Sequence, residues 1–166
     1  MQILSNENPM LHRPSKLVSS DILEDNGRQL KSFASLLMSK AEEKLLVGLS
    51  ACQIGIDLSM FVMFSNGETR FCVNPEIVAA TIDMKMDEES SIHYPNLLLK
   101  INRPVGIMAR YLNVDGKEVT EKLEGSAARI WLHQFDHCNG ICIVDRVGKL
   151  KLQLAKKKLL KITKRK

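Results

Sequence analysis

At 166 residues and 18.7 kDa, with 45% hydrophobic and 26% charged residues, the chain suits one ordinary domain with its own core, and a disordered, collagen-like or low-complexity polymer is excluded. The net charge of +5 is unevenly spread, because the last twenty residues, Val147 to Lys166, hold nine of the 24 Lys and Arg and none of the 19 Asp and Glu. A body with an excess of acid thus carries a basic tail, which points to an acidic polymer such as nucleic acid as partner.

No apolar run approaches the roughly 18 to 20 residues that span a bilayer, and the N-terminus lacks the basic, apolar, small-residue order of a secretion signal. A cytoplasmic, monomeric protein without membrane contact is the expectation. Cys52, Cys72, Cys138 and Cys142 form no CxxC pair and are expected as buried thiols.

Ser19 or Ser20 caps a helix expected from about Asp21 to Lys44, with Leu23, Leu30, Phe33, Ala34 and Leu37 as its apolar side. Met60 to Val73 reads as two apolar strands around Ser65-Asn66-Gly67, where Asn-Gly supplies the positive φ angles of a tight hairpin. Val105, Ile107, Ala109 and Tyr111 alternate, and Asp115-Gly116 marks another turn before Val119. Antiparallel strands in the middle with helices before and after predict an α+β domain rather than parallel βαβ units.

A further helix is expected from about Gly125 to Cys138, stopped by Asn139-Gly140. In the tail, Leu152, Ala155, Leu159 and Ile162 recur at three- and four-residue spacing, giving a helix with one apolar stripe and lysines elsewhere. Residues 1–146 are read as one domain and 147–166 as this basic amphipathic helix. Docking on the body with a solvated basic face and direct contact with RNA both remain open for it.

His133 and His137 stand four apart, so their imidazoles share one helix face about a turn apart, as two ligands of one metal ion require. Alone the pair is also compatible with partly buried histidines bonded to carbonyls or to Asp136.

Three ordered segments add to it. Gly48-Leu49-Ser50-Ala51-Cys52-Gln53-Ile54-Gly55 resembles the glycine, leucine, two small residues, any residue, glutamine segment of the peptide deformylases. Glu89-Ser90-Ser91-Ile92-His93-Tyr94-Pro95 resembles their Glu-Gly-Cys-Leu-Ser-x-Pro segment. His133-Gln134-Phe135-Asp136-His137 with Cys138-Asn139-Gly140 resembles their His-Glu-x-x-His segment with its Asp, His, Leu, Asn, Gly pattern. Asn74-Pro75-Glu76-Ile77 and Ile143-Val144-Asp145-Arg146 also look like family segments.

The resemblance implies an α+β fold of antiparallel sheets packed around a central helix that bears the two histidines. It implies removal of the N-formyl group from the initiator methionine of nascent polypeptides, with iron, zinc or nickel as the divalent metal. Carried over position by position, His133, His137 and Ser91 fall on the metal ligands, and Gln134 on the catalytic glutamate. Gln53 and the backbone N–H of Ile92 fall on the donors to the formyl oxygen, and Gly48, with Leu49 and Ser50, on the substrate-binding strand. The basic helix, by the same resemblance, implies a ribosomal address near the exit tunnel.

Two departures fall on the catalytic centre. Ser91 stands where the family has its cysteine ligand, and an alcohol gives up its proton far less readily than a thiol of pKa about 8.5. Gln134 stands where the family has the glutamate that carries a proton from water to the leaving amine, and an amide cannot do acid-base work worth about 10² to 10⁴ in rate. Ser90 and Leu46 replace glycines. Glu88, Glu89 and His93 flank Ser91, and His93, two residues on, would share its side of a strand and is an alternative ligand. By the resemblance Glu89 does structural duty, bonding backbone or an arginine such as Arg103 or Arg129, ahead of a ligand role, and Cys138 is a weaker third-ligand candidate.

The expected protein is therefore deformylase-like with hydrolysis impaired or lost and its divalent metal weakly held or absent. The alternative is a non-catalytic homologue that binds nascent chains or the ribosome. A general RNA-binding module lacks a visible aromatic stacking pattern.

Overall fold

The computed structural model describes residues 2–24 and 28–163. The N-terminal arm makes one 3-10 turn at Pro9–His12, capped by Asn8, whose side-chain oxygen accepts the Met10 N–H at 3.0 Å. The helix expected from Asp21 to Lys44 is described in two stretches, α1 (Ser20–Glu24) and α2 (Arg28–Glu43). Residues 25–27, which the expected helix also takes in, lie outside the described residues. On α2 the buried Leu30, Ala34, Leu37 and Ala41 follow the helical repeat that the apolar pattern predicts.

Strand β1 (Gly48–Ser50) leads into a 3-10 turn at Ala51–Ile54. Next along the chain come strands β2 (Met60–Ser65), β3 (Glu68–Ala80), β4 (Met84–Ser91), β5 (Tyr94–Pro104), β6 (Gly106–Leu112) and β7 (Glu118–Glu124). Helix α3 (Gly125–Cys138), a 3-10 turn at Ile143–Arg146 and helix α4 (Lys149–Thr163) complete the described chain. The β2–β3 hairpin closes at Ser65↔Glu68 through Asn66 and Gly67, with φ of 53° and 76°, the backbone that Asn-Gly favours.

All strand pairs are antiparallel, in a five-stranded sheet of order β1-β2-β3-β6-β7 and a two-stranded sheet of β4 and β5. Alternation along β2 sets the layers: Met60 and Val62 join the cluster that α2 covers, whereas Phe61 and Met63 join the one that α3 covers. Trp131 of α3 meets Phe61 edge-on at 5.7 Å and stacks on Phe135. Leu97, Leu99 and Ile101 of β5 form a smaller core with Ile143 and with Leu152, Ala155 and Leu159 of α4. The apolar stripe of the tail helix thus has a docking surface, although the side chain of Ile162 lies outside what is described.

All four cysteines are buried thiols. Among the described residues no helix is long and apolar enough to cross a membrane.

Candidate active site

Helix α3 supplies His133, Gln134 and His137. It is stopped by Asn139 and by Gly140 at φ +72°, where a side chain would also strike the Arg13 backbone of the arm at 2.5 Å. His133 donates its Nδ1–H to Glu89 Oε2 at 3.1 Å, which leaves Nε2 as the electron-pair donor.

Glu89 is held by Arg103 through contacts of 2.5 and 2.9 Å and by Arg129 at 2.7 Å, the structural role that the family resemblance implies. Burial opposes its charge, yet hydrogen bonds from Arg103 and His133 draw its carboxyl down to about 2. Arg103 also reaches Asp136 at 2.9 Å, and Asp136 accepts both Nε and Nη2 of Arg146. This largely buried ionic chain fixes α3 against β4 and β5.

His137 is 1% exposed, and neither of its ring nitrogens has a hydrogen-bond partner. Burial first, then the neighbouring His133 and His93, hold it well below the ordinary imidazole value, so it is neutral with a free lone pair. Its ring centroid is 5.1 Å from that of His133. An orphaned, neutral imidazole beside a carboxylate-oriented one fits a divalent ion.

The third ligand is where the fit weakens. Ser91 offers a neutral hydroxyl whose oxygen accepts the His93 N–H at 3.4 Å. Among the described residues, no group of three His, Cys, Asp or Glu that includes both imidazoles has its ligand atoms within 4.8 Å of one another.

The alternative ligand, His93, does not sit where a continuous strand would put it. Ser91 pairs with Tyr94 across the β4–β5 hairpin, so Ile92 and His93 form its two-residue turn, and the period of two no longer applies. The His93 ring is also occupied: Nδ1–H donates to Leu4 O at 3.0 Å, and Nε2 lies 3.1 Å from Gln53 Nε2. A main-chain oxygen can only accept, which puts the proton on Nδ1 and makes Nε2 the acceptor of a Gln53 N–H. Gln53 is then fixed at both ends, because its Oε1 accepts the Ser50 N–H at 2.8 Å. Cys138 is also turned away, its thiol at 3.9 Å from Met60 O inside the core.

Gly48, Gln53, Ser91, Ile92, His133 and Gln134 line one open cleft of about 350 Å³, together with Glu88, Ser90, Leu46 and Arg129. Leu49 and Ser50 are fully buried and do not line it, since β1 turns both into the interior. Ser50 acts from behind. Its hydroxyl lies 2.7 Å from Gln134 Oε1 and 3.1 Å from the Gln134 main-chain oxygen, and with one proton to give, the shorter contact is the donated one. Sequence reading missed this contact, for which an 84-residue separation leaves no local signal, as it missed the Leu4–His93 bond.

Residues 1–153 match the family model of polypeptide deformylase.

The chain belongs to the peptide deformylase family.

A peptide deformylase of Thermotoga neapolitana is 40% identical over 118 residues, covering 71% of this chain and 72% of that one. One from Thermotoga sp. strain RQ2 is 35% identical over 154 residues, covering 93% and 91%. The crystal structure of the Thermotoga maritima peptide deformylase superposes with a TM-score of 0.82 at 32% identity, covering 89% of this chain and 97% of that one. A Legionella pneumophila peptide deformylase gives 0.84 at 28%, covering 98% and 95%. The deformylase fold of antiparallel sheets around a histidine-bearing helix is therefore that of this chain, and membership implies a divalent metal cofactor and action on formylated nascent peptides.

Proposed function

We propose that this deformylase-family protein takes the formyl-methionyl end of a nascent polypeptide into the cleft, holds a divalent ion through His133 and His137, and hydrolyses the formyl amide very slowly or not at all. The observation that carries this reading is the 2.7 Å contact from the Ser50 hydroxyl to Gln134 Oε1. It engages the amide oxygen from behind, and Nε2, a donor, is the end of the amide turned toward Gly48, at the position where the family keeps a base.

When bound, a divalent ion supplies Lewis acidity to water and to the formyl oxygen. The chain's own groups supply the rest. Gln53 gives one N–H to His93 and retains a second for the formyl oxygen, and Ile92, whose N–H falls on the family's other donor, lines the same cleft. Such donors are worth about 10² to 10³ in rate each when they meet developing negative charge. What is missing is a carrier that takes a proton from water and returns it to the departing amine, since neither Gln134 nor Ser91 titrates in the accessible range. Substrate recognition thus survives better than turnover.

The test is formate release from a formyl-methionyl tripeptide with added nickel, iron or zinc, against His133→Ala as the blank. Wild type is expected at the blank while binding the peptide saturably, and Gln134→Glu combined with Ser91→Cys is expected to raise turnover by about 10² to 10⁴. Wild-type turnover equal to that of the repaired variant would sink the reading.

The same proposal gives α4 a ribosomal address near the exit tunnel. Its support is that Lys149, Lys151, Lys156, Lys157, Lys158 and Lys161 are all exposed while Leu152, Ala155 and Leu159 anchor the helix. Salt-dependent binding to ribosomes tests it.

A further inference from the structure

Away from the cleft, two 3-10 turns bring together three side chains that the deformylase reading does not use. His12 ends the turn of the N-terminal arm, and Cys142 and Asp145 are the cap and third residue of the turn before α4. Their ligand atoms, one imidazole nitrogen, one sulfur and one carboxylate oxygen, all lie within 4.8 Å of one another.

We propose that His12, Cys142 and Asp145 form a second metal site, for a zinc-type divalent ion. Each partner is already arranged by the chain. His12 donates Nε2–H to Asn6 O at 2.7 Å, which leaves Nδ1 as the ring's electron-pair donor in the manner of an oriented histidine ligand. Asp145 Oδ2 accepts the Cys142 N–H at 2.8 Å, which fixes the carboxylate and keeps Oδ1 unused by that bond. Cys142 is fully buried with Leu11 and Cys52, its thiol 3.7 Å from Leu11 O. On binding, that thiol proton passes to solvent and an Sγ–metal bond replaces the weak Sγ–H donation. A thiolate, an imidazole and a carboxylate, with water as fourth ligand, suit a tetrahedral zinc ion and disfavour magnesium or calcium.

The consequence is mechanical. The arm that ends in His12 begins at Leu4, whose N–H donates to Gln53 O at 2.9 Å and whose oxygen receives the His93 proton. An ion on the three groups would pin that arm to the segment from which α4 departs, and so brace the clamp on Gln53. The assignment of this site does not rest on the chemistry proposed for the cleft.

Serine at position 91 makes the test selective, because the cleft centre then holds no thiolate. Cobalt(II) titrated into the full chain is expected to give a near-ultraviolet thiolate-to-cobalt charge-transfer band, with zinc displacing it. The band should persist in the His133→Ala, His137→Ala double variant, vanish in Cys142→Ser, and require at least about 100-fold more cobalt in His12→Ala, since a lost ligand weakens a site at least as much as a lost partner of a ligand. His12 is exposed, so that variant folds even if Cys142→Ser does not. Absence of the band in wild type, its survival in Cys142→Ser, or indifference to His12→Ala would each overturn the proposal.

Discussion

Gly48 shows how closely the cleft is built around Gln134. A Cβ there would meet Gln134 Nε2 at 3.0 Å, its Cγ at 3.1 Å and Val62 O at 3.1 Å. The amide can swing aside, but Val62 O belongs to the β1–β2 ladder and cannot. Gly48→Ala is therefore expected to cost about 1 to 2 kcal/mol, read as a lower urea midpoint, and to weaken formyl-peptide binding. An unchanged midpoint would mean that β1 and α3 are less tightly apposed than their contacts imply.

Glu89 is the second informative residue, because two guanidinium groups and one imidazole depend on it. Glu89→Gln keeps the shape and removes the charge that Arg103, Arg129 and His133 share. Arg103 retains Asp136, so the expected loss is about 3 kcal/mol, at the lower end for a broken buried ion pair. The imidazole of His133 also loses its orienting partner, and affinity at the cleft metal centre should fall by about 10- to 100-fold in a chelator competition. A loss of stability with unchanged metal affinity would separate the two roles and deny the second.

At the scale of elements, what the sequence made legible was what short-range chemistry decides. Asn66-Gly67 and Asn139-Gly140 carry their own φ preferences, and so the first hairpin and the end of α3 could be read directly. The period of the tail gave α4, but not the surface of β5 that receives it, since a stripe states that a partner exists without naming it. His93 was misread for a similar reason: only the pairing of Ser91 with Tyr94 reveals that a turn intervenes. The docking of α4 has its own test. Leu152→Asp puts a charge against the cluster of Leu97, Leu99, Ile101 and Ile143, and trypsin should then cut at the lysines of α4 well before the body, while the main unfolding transition moves little. Equal protection of α4 in both proteins would mean that the stripe contributes nothing to its docking.

At the scale of the whole molecule, charge and core are segregated. The body carries the acid excess and both large clusters, whereas α4 carries lysines around a stripe that leaves them all in solvent. A helix anchored on one side and basic on the others is suited to approach a polyanion without disturbing the cleft, because its attachment, β5 and the turn at Ile143–Arg146, is separate from the cleft lining. Counterion release sets the expected behaviour: each lysine that meets a phosphate adds roughly one unit to the slope of log affinity against log salt. Lys157 and Lys161 lie one turn apart and, by helical periodicity, opposite Leu152, Ala155 and Leu159, so they face outward from the body. Replacing both with glutamine should lower the slope of ribosome binding by up to about two and leave formyl-peptide binding unchanged. Ribosome binding that keeps its full salt slope in this variant would place the contact elsewhere on the molecule, and the basic helix would then be no more than a solvated face.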